Sequence, residues 1–310
     1  MNIYRDSIYH TLMAGWVADA VGARLKFLNQ RFNETQVNEA MRHEGESSIT
    51  RGQYTDYTEM EMCIMNGLIE ENDVYPSDII AKNYIELNPY NIGFSTRNAI
   101  QGAKDEKDMI RNALNFNKNS ESIGLMMRCI PIAILGYENT YIKMLDLVEA
   151  EAKLTHPSPT VQQATAIYCF IIGRILHCKK IGVKLNRLNL LIDTMNRVTD
   201  PIVIQWIKEA LGRDEIKTYD CLHNESHIKH AFIMAIYLFK NIDKYTYETA
   251  IRQMLMNGFT YAKIIGSMFG AYYGDCIPDY MLNPVLNCHF RIEYALQRLK
   301  LFQDKMKSMS

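Results

Sequence analysis

The residues of this chain best suited to chemistry fall in a few short stretches. Tyr54-Thr55-Asp56-Tyr57-Thr58-Glu59 brings two carboxylates together, and Glu61 follows closely. Thr58 with Glu61 three residues on has the form of a capping box. It predicts a helix running to about Glu71 with Met62, Met65 and Leu68 inward. Thr55 and Asp56 then sit just before a helix N-terminus, where free N–H groups and the helix dipole favour anions. An acidic first turn has two readings, helix capping or a carboxylate for metal binding or base catalysis. Asp19, among small residues at the end of the first helical stretch, is costly to bury unless bonded. It is either a cap or ion-pair partner, or a group behind a site. His223, His227 and His230 are spaced by four and three. His227 and His230 could share a helix face and hold a metal, but no cysteine or carboxylate cluster joins them in the sequence, so surface or capping roles are the simpler reading.

The elements that must position these residues read as helices almost throughout. Apolar residues recur at helical spacing over Tyr4–Val21, and short helices are expected over Gln36–His43 and over Pro76–Leu87 with Ser77 as N-cap. The loop Asn88–Ser95 is rich in turn residues, and Ser95-Thr96 opens a further helix to Ala103. Ser120–Gly136 is a Ser/Gly loop entering an apolar helix in which Arg128 is either snorkelling or paired. Thr155-His156-Pro157 separates an amphipathic helix from the long apolar helix Pro159–Cys178. Helices follow over Leu188–Arg197, Pro201–Leu211, His227–Lys240, Tyr245–Asn257 and Arg291–Lys305. Between the last two lies Asn257–Pro278, in which Ala262, Gly266, Gly270 and Gly274 recur every four residues on one helical face. Glycine costs about 1 kcal/mol against alanine inside a helix, so this ladder points to a buried helix packed almost backbone to backbone on a neighbour. No strand pair, repeat or low-complexity linker stands out. The expectation is all-α, one compact multi-helix domain over residues 1–310.

Composition narrows the class. With 310 residues and 48% hydrophobic content, a large core can form, and a net charge of −1 gives no reason to expect nucleic acid or an anionic membrane as partner. The basic turn Lys179–Arg187 reads as a solvated loop. Seven cysteines without a CxxC pair suit free thiols in a reducing compartment. The N-terminus has no signal-like apolar region, and no stretch is long and apolar enough to span a bilayer. A soluble, intracellular and cytoplasmic protein is expected, its protein partners unspecified.

The order of five stretches carries more than any one of them. Ala18–Phe27 (ADAVGARLKF), Tyr54–Met60 (YTDYTEM), Ser122–Pro131 (SIGLMMRCIP), Leu154–Pro159 (LTHPSP) and the glycine-ladder helix ending in Ile277-Pro278 resemble the ADP-ribosylglycohydrolase family in sequence and spacing over most of the chain. The resemblance implies an all-α fold around a binuclear magnesium cleft and the hydrolysis of an ADP-ribosyl glycosidic linkage. Two metals there orient ribose hydroxyls, position a water and stabilise charge.

Carried over residue by residue, the family's ligand set is mostly replaced. Its glutamate after the first helix falls on Lys26. Its Thr-Asp-Asp falls on Thr55, Asp56 and Tyr57, and its late Asp-Thr-Asp-Thr on Phe259, Thr260, Tyr261 and Ala262. Thr55 and Asp56 remain as residual ligands. One carboxylate does not neutralise two divalent cations, and an ammonium at Lys26 repels them, so no metal and no cofactor are expected. Lys26 with the Tyr57, Phe259 and Tyr261 rings is expected to fill the metal volume. The ligand positions are better kept: the resemblance places Gly93, Ser95, Ser122, Gly124 and His156 against the ADP-ribose, with Ile123 where the family has asparagine, and Asp19 behind the site. Three functions stay open. The first is a catalytically degenerate family member whose cleft binds ADP-ribose or a related nucleotide. The second is a metal-free ADP-ribosyl hydrolase with Asp56 or Glu59 as general base. The third is an interaction protein with a filled cleft.

Overall fold

A computed structural model describes residues 3–26, 28, 32–71, 75–87, 92–215, 226–288 and 292–309. These residues form sixteen α-helices and no β-strand. In chain order they are α1 (Ile3–Ala23), α2 (Glu34–Met41), α3 (Asp56–Glu70), α4 (Ser77–Glu86), α5 (Phe94–Ile100), α6 (Glu106–Phe116), α7 (Ile130–Leu135) and α8 (Tyr141–Ala152). There follow α9 (Pro159–Lys180), α10 (Arg187–Met195), α11 (Pro201–Gly212), α12 (Ile228–Lys240), α13 (Tyr247–Met256), α14 (Lys263–Tyr273), α15 (Asp279–Leu286) and α16 (Ile292–Ser308). The all-α expectation holds, and the helices share one contiguous apolar core. Among the described residues no helix is long and apolar enough to cross a membrane, and the six described cysteines are free.

Among the described residues, helices α1 and α14 form the most extensively packed pair, and the glycines are the reason. A Cβ on Gly266 would stand 2.4 Å from the Ala14 carbonyl oxygen, and one on Gly270 would stand 2.1 Å from that of His10. Close backbone approach, the role inferred for the ladder, is what the two glycines provide. The helix is shorter than the Asn257–Pro278 stretch suggests. Ala262 is its N-cap and Gly274, at φ 81°, its C-cap, so the glycine that closes the ladder ends the helix instead of extending the face. Tyr168 of α9 donates to the Ile264 carbonyl at 2.7 Å, and Tyr247 of α13 donates to that of Ala14 at 2.8 Å, tying two further helices to this pair.

Several local expectations are corrected. Helix α3 starts at Asp56 with Thr55 as N-cap, so Thr58 lies inside the helix and forms no capping box with Glu61. The competing partners are long-range ones. Asp19 accepts the Thr55 N–H at 3.0 Å and the hydroxyls of Thr55 at 2.8 Å and Thr58 at 2.7 Å. Glu61 accepts Trp16 Nε1–H at 2.6 Å and pairs with Lys263 at 3.1 Å. Ser77 is the first residue of α4 and not its cap, its hydroxyl being drawn to Glu106 at 2.5 Å. Helix α15, with Pro284 inside it, has no counterpart in the sequence expectation. His223, positions 88–91 of the turn-rich loop and Arg291 lie outside the described residues.

Candidate functional site

Six segments named below converge on one cleft of about 290 Å³. The turn after α1 supplies Lys26, the first turn of α3 supplies Tyr57, and the start of α5 supplies Gly93, Ser95 and Thr96. The loop before α7 supplies Ser122, Ile123 and Gly124, the break between α8 and α9 supplies His156, and the segment entering α14 supplies Tyr261. Gly93, Ser95, Ser122, Gly124 and His156, expected together from the resemblance, do line this one cavity. Gly124 has a steric role as well, since a Cβ there would meet the His156 ring at 3.1 Å.

Asp56 lies behind the wall, 1% exposed, with Oδ1 3.6 Å from Lys26 Nζ and Oδ2 accepting the Gly93 N–H at 3.3 Å. Burial pushes its carboxyl up to about 6, outweighing the opposing pull of the Lys26 charge and the Gly93 N–H. The Lys26 ammonium sits over the Tyr57 ring at 4.7 Å and the Tyr261 ring at 5.7 Å. These two rings meet edge-on at 5.8 Å, and Phe259, fully buried, packs on Tyr261 at 5.7 Å. Lys26, Asp56, Tyr57, Phe259 and Tyr261 are therefore one contact cluster. Ala262, fully buried, contributes only the start of α14.

Like Asp56, neither Asp19 nor Glu59 lines the cavity. Asp19 is consumed in holding Thr55 and Thr58, so it positions the start of α3 from behind. Glu59 heads the stripe Glu59, Met62, Cys63 and Asn66 that faces α4 and Tyr294 of α16 around a separate cavity. A base at Glu59 is thus directed away from the cleft by the helical period that buries its neighbours.

A polar line runs inward from the cleft. Ser95 and Ser120 hydroxyls are 2.7 Å apart, Ser122 donates to Ser95 at 3.2 Å, and Ser122 Oγ lies 2.7 Å from His156 Nε2. His156 Nδ1 lies 2.7 Å from Thr155 Oγ1, which accepts from Arg128 Nη2. Arg128 is fully buried. It donates through Nε to Glu151 at 2.9 Å and through Nη1 to the Gly124 carbonyl at 3.2 Å. It is paired, and it precedes α7 instead of lying within it. Burial first, then the Arg128 charge, holds His156 well below its ordinary pKa, so the imidazole is neutral.

The loop is stapled to the start of α12. Ile123 N–H donates to Ser226 and Ile228 N–H to Glu121, each at 2.9 Å, forming the bridge between Ser122 and His227. Glu121 lies 2.8 Å from His227 Nε2, while His227 Nδ1 accepts the Lys229 N–H as the α12 N-cap. The capping reading of His227 holds, but a carboxylate does join it, from a residue 106 positions earlier by numbering (227 − 121). No spacing in the sequence signals that pairing, nor those of Ser120, Thr155 and Glu151 with the site.

The family model described as ADP-ribosylglycohydrolase matches residues 1–307. A protein of Acanthamoeba polyphaga mimivirus named "Putative ADP-ribosyl glycohydrolase" is 23% identical, covering 92% of each chain. A solved structure titled "ADP-ribosylglycohydrolase-related protein complex" superposes with a TM-score of 0.76 at 21% identity, covering 98% of this chain and 100% of the other. That structural likeness is one of fold.

Proposed function

The chain belongs to the ADP-ribosylglycohydrolase family, and we propose that this member recognises ADP-ribose or a related nucleotide in its cleft without a magnesium pair. The observation that carries the reading is the Lys26 ammonium, 3.6 Å from Asp56 and covered by Tyr57 and Tyr261. Magnesium needs oxygen ligands at about 2.0–2.1 Å in octahedral array. Here the carboxylate that would supply them faces a cation, and aromatic carbon occupies the neighbouring volume. Among the described residues no three His, Cys, Asp or Glu side chains come together as a metal group. The donor set does not fit the magnesium pair.

The remaining groups suit binding. Lys26 supplies a positive charge, Ser95 and Ser122 supply hydroxyls, and the cavity of about 290 Å³ is close to the lower end of small-molecule sites. Among the described residues, neither carboxylate considered as a base for metal-free cleavage lines the cavity. Glu59 faces elsewhere, and Asp56 is buried behind Lys26.

The test is thermal unfolding with ADP-ribose, in magnesium and in chelator. At 100 times its dissociation constant the ligand should add about 2.7 kcal/mol of stability, and the shift should be the same in both buffers. A shift seen only with magnesium, or none in either buffer, defeats the reading.

A further inference from the structure

We infer that Arg128, acting through Thr155 and His156, is a positioning residue that makes Ser122 a hydrogen-bond donor toward the cleft, set to receive an acceptor oxygen such as one of a phosphate. The inference rests on the cleft reading above for its ligand, and on proton bookkeeping for its direction. A guanidinium donates and never accepts, so Thr155 Oγ1 takes the Arg128 N–H with a lone pair. Thr155 is fully buried, and the atoms its hydroxyl contacts are Arg128 Nη2 and His156 Nδ1. Its single proton is satisfied only on His156 Nδ1, because a buried unpaired hydroxyl is unfavourable. A neutral imidazole with an accepting Nδ1 carries its proton on Nε2. His156 Nε2–H therefore donates to Ser122 Oγ, at 2.7 Å.

The consequence falls on Ser122. Its oxygen accepts from His156, so its own proton is not spent on the imidazole. That proton turns outward, to Ser95 at 3.2 Å or to a ligand oxygen. The opposite tautomer would consume the Ser122 proton and leave an acceptor facing the cleft. Every link thus points the same way, from the buried guanidinium to the cavity, and aligned donors of this kind polarise one another. Arg128 also grips the Gly124 carbonyl at 3.2 Å, so one rigid fork sets both the loop backbone and the hydroxyl direction. The same protonation denies His156 the role of base toward Ser122.

Long-range nitrogen–proton correlation spectra of the full chain read the His156 tautomer directly. The wild type should show a protonated Nε2 and a bare Nδ1. Thr155→Val, which keeps shape and removes the hydroxyl, withdraws the donor that fixes Nδ1 and should leave His156 without the single wild-type tautomer and weaken ADP-ribose roughly tenfold. Thr155→Ser should restore both readouts. A wild-type proton on Nδ1 overturns the inference, as does a Thr155→Val protein that keeps tautomer and affinity. If ADP-ribose fails to bind the wild type, the proposed function fails, and the wild-type and Thr155→Ser spectra still decide the inference, even where Thr155→Val does not fold.

Discussion

Asp56 holds a carboxylate in a place that penalises its charge. Its pKa rises from 3.8 to about 6 on folding, so the folded chain binds a proton more readily than the unfolded one between those values. The stabilisation linked to that proton is present below about pH 4 and lost as pH rises through about 6. Two units correspond to about 3 kcal/mol. Urea unfolding of wild type and Asp56→Asn from pH 4 to 7 should show wild type losing about that much relative to the variant as pH rises. A gap independent of pH would mean that Lys26 and the Gly93 N–H fully offset the burial. Asp56 and Lys26 are both identifiable in the sequence, but their 3.6 Å separation is a property of the fold.

At the scale of elements, the α1–α14 contact aligns the two sides of the cleft floor. Lys26 follows one helix, and Tyr261 precedes the other. Gly266→Ala would place a Cβ 2.4 Å from the Ala14 oxygen and 2.5 Å from the Ala18 Cβ. A backbone neighbour cannot step aside cheaply, so a loss of about 1–3 kcal/mol or more is expected from denaturant midpoints. Gly212→Ala, at the end of α11 with no atom within 4 Å of the added carbon, should be neutral or stabilising by up to about 1 kcal/mol. Equal effects at the two sites would refute close approach as the reason for the ladder. The α14 start is also locked electrostatically, since buried Lys263 pairs with Glu61 at 3.1 Å and donates to Thr58 at 2.8 Å on α3. The glycine ladder was legible because its spacing is a property of one helix. The Lys263–Glu61 pair was not, because it joins residues of two helices distant in the chain.

Across the whole molecule, Glu151 is the node that joins the core to the site. It accepts from Arg128 at 2.9 Å, Tyr84 at 2.6 Å and Tyr75 at 2.9 Å, so α8, α4 and the loop before α7 meet on one buried carboxylate. Arg128→Met leaves that charge without its cation and should cost about 3–5 kcal/mol in denaturant unfolding. Adding Glu151→Met should recover part of the loss, because the residual penalty is then two unpaired tyrosine hydroxyls in place of a buried charge. Additive losses would show that the pair is not coupled.

The sequence alone determined the helical class, the family resemblance, the packing role of the glycines and the identity of five cleft-lining positions. Each rests on periodicity or on ordered local motifs, which survive in one dimension. Only the tertiary structure decided that Glu59 faces away, that Thr55 and not Thr58 caps α3, that Glu121 joins His227, and that a line of donors runs from Arg128 to Ser122. Those outcomes depend on which distant groups compete for each polar atom. Burial makes that competition decisive, because an unpaired polar atom in the core has no water to fall back on.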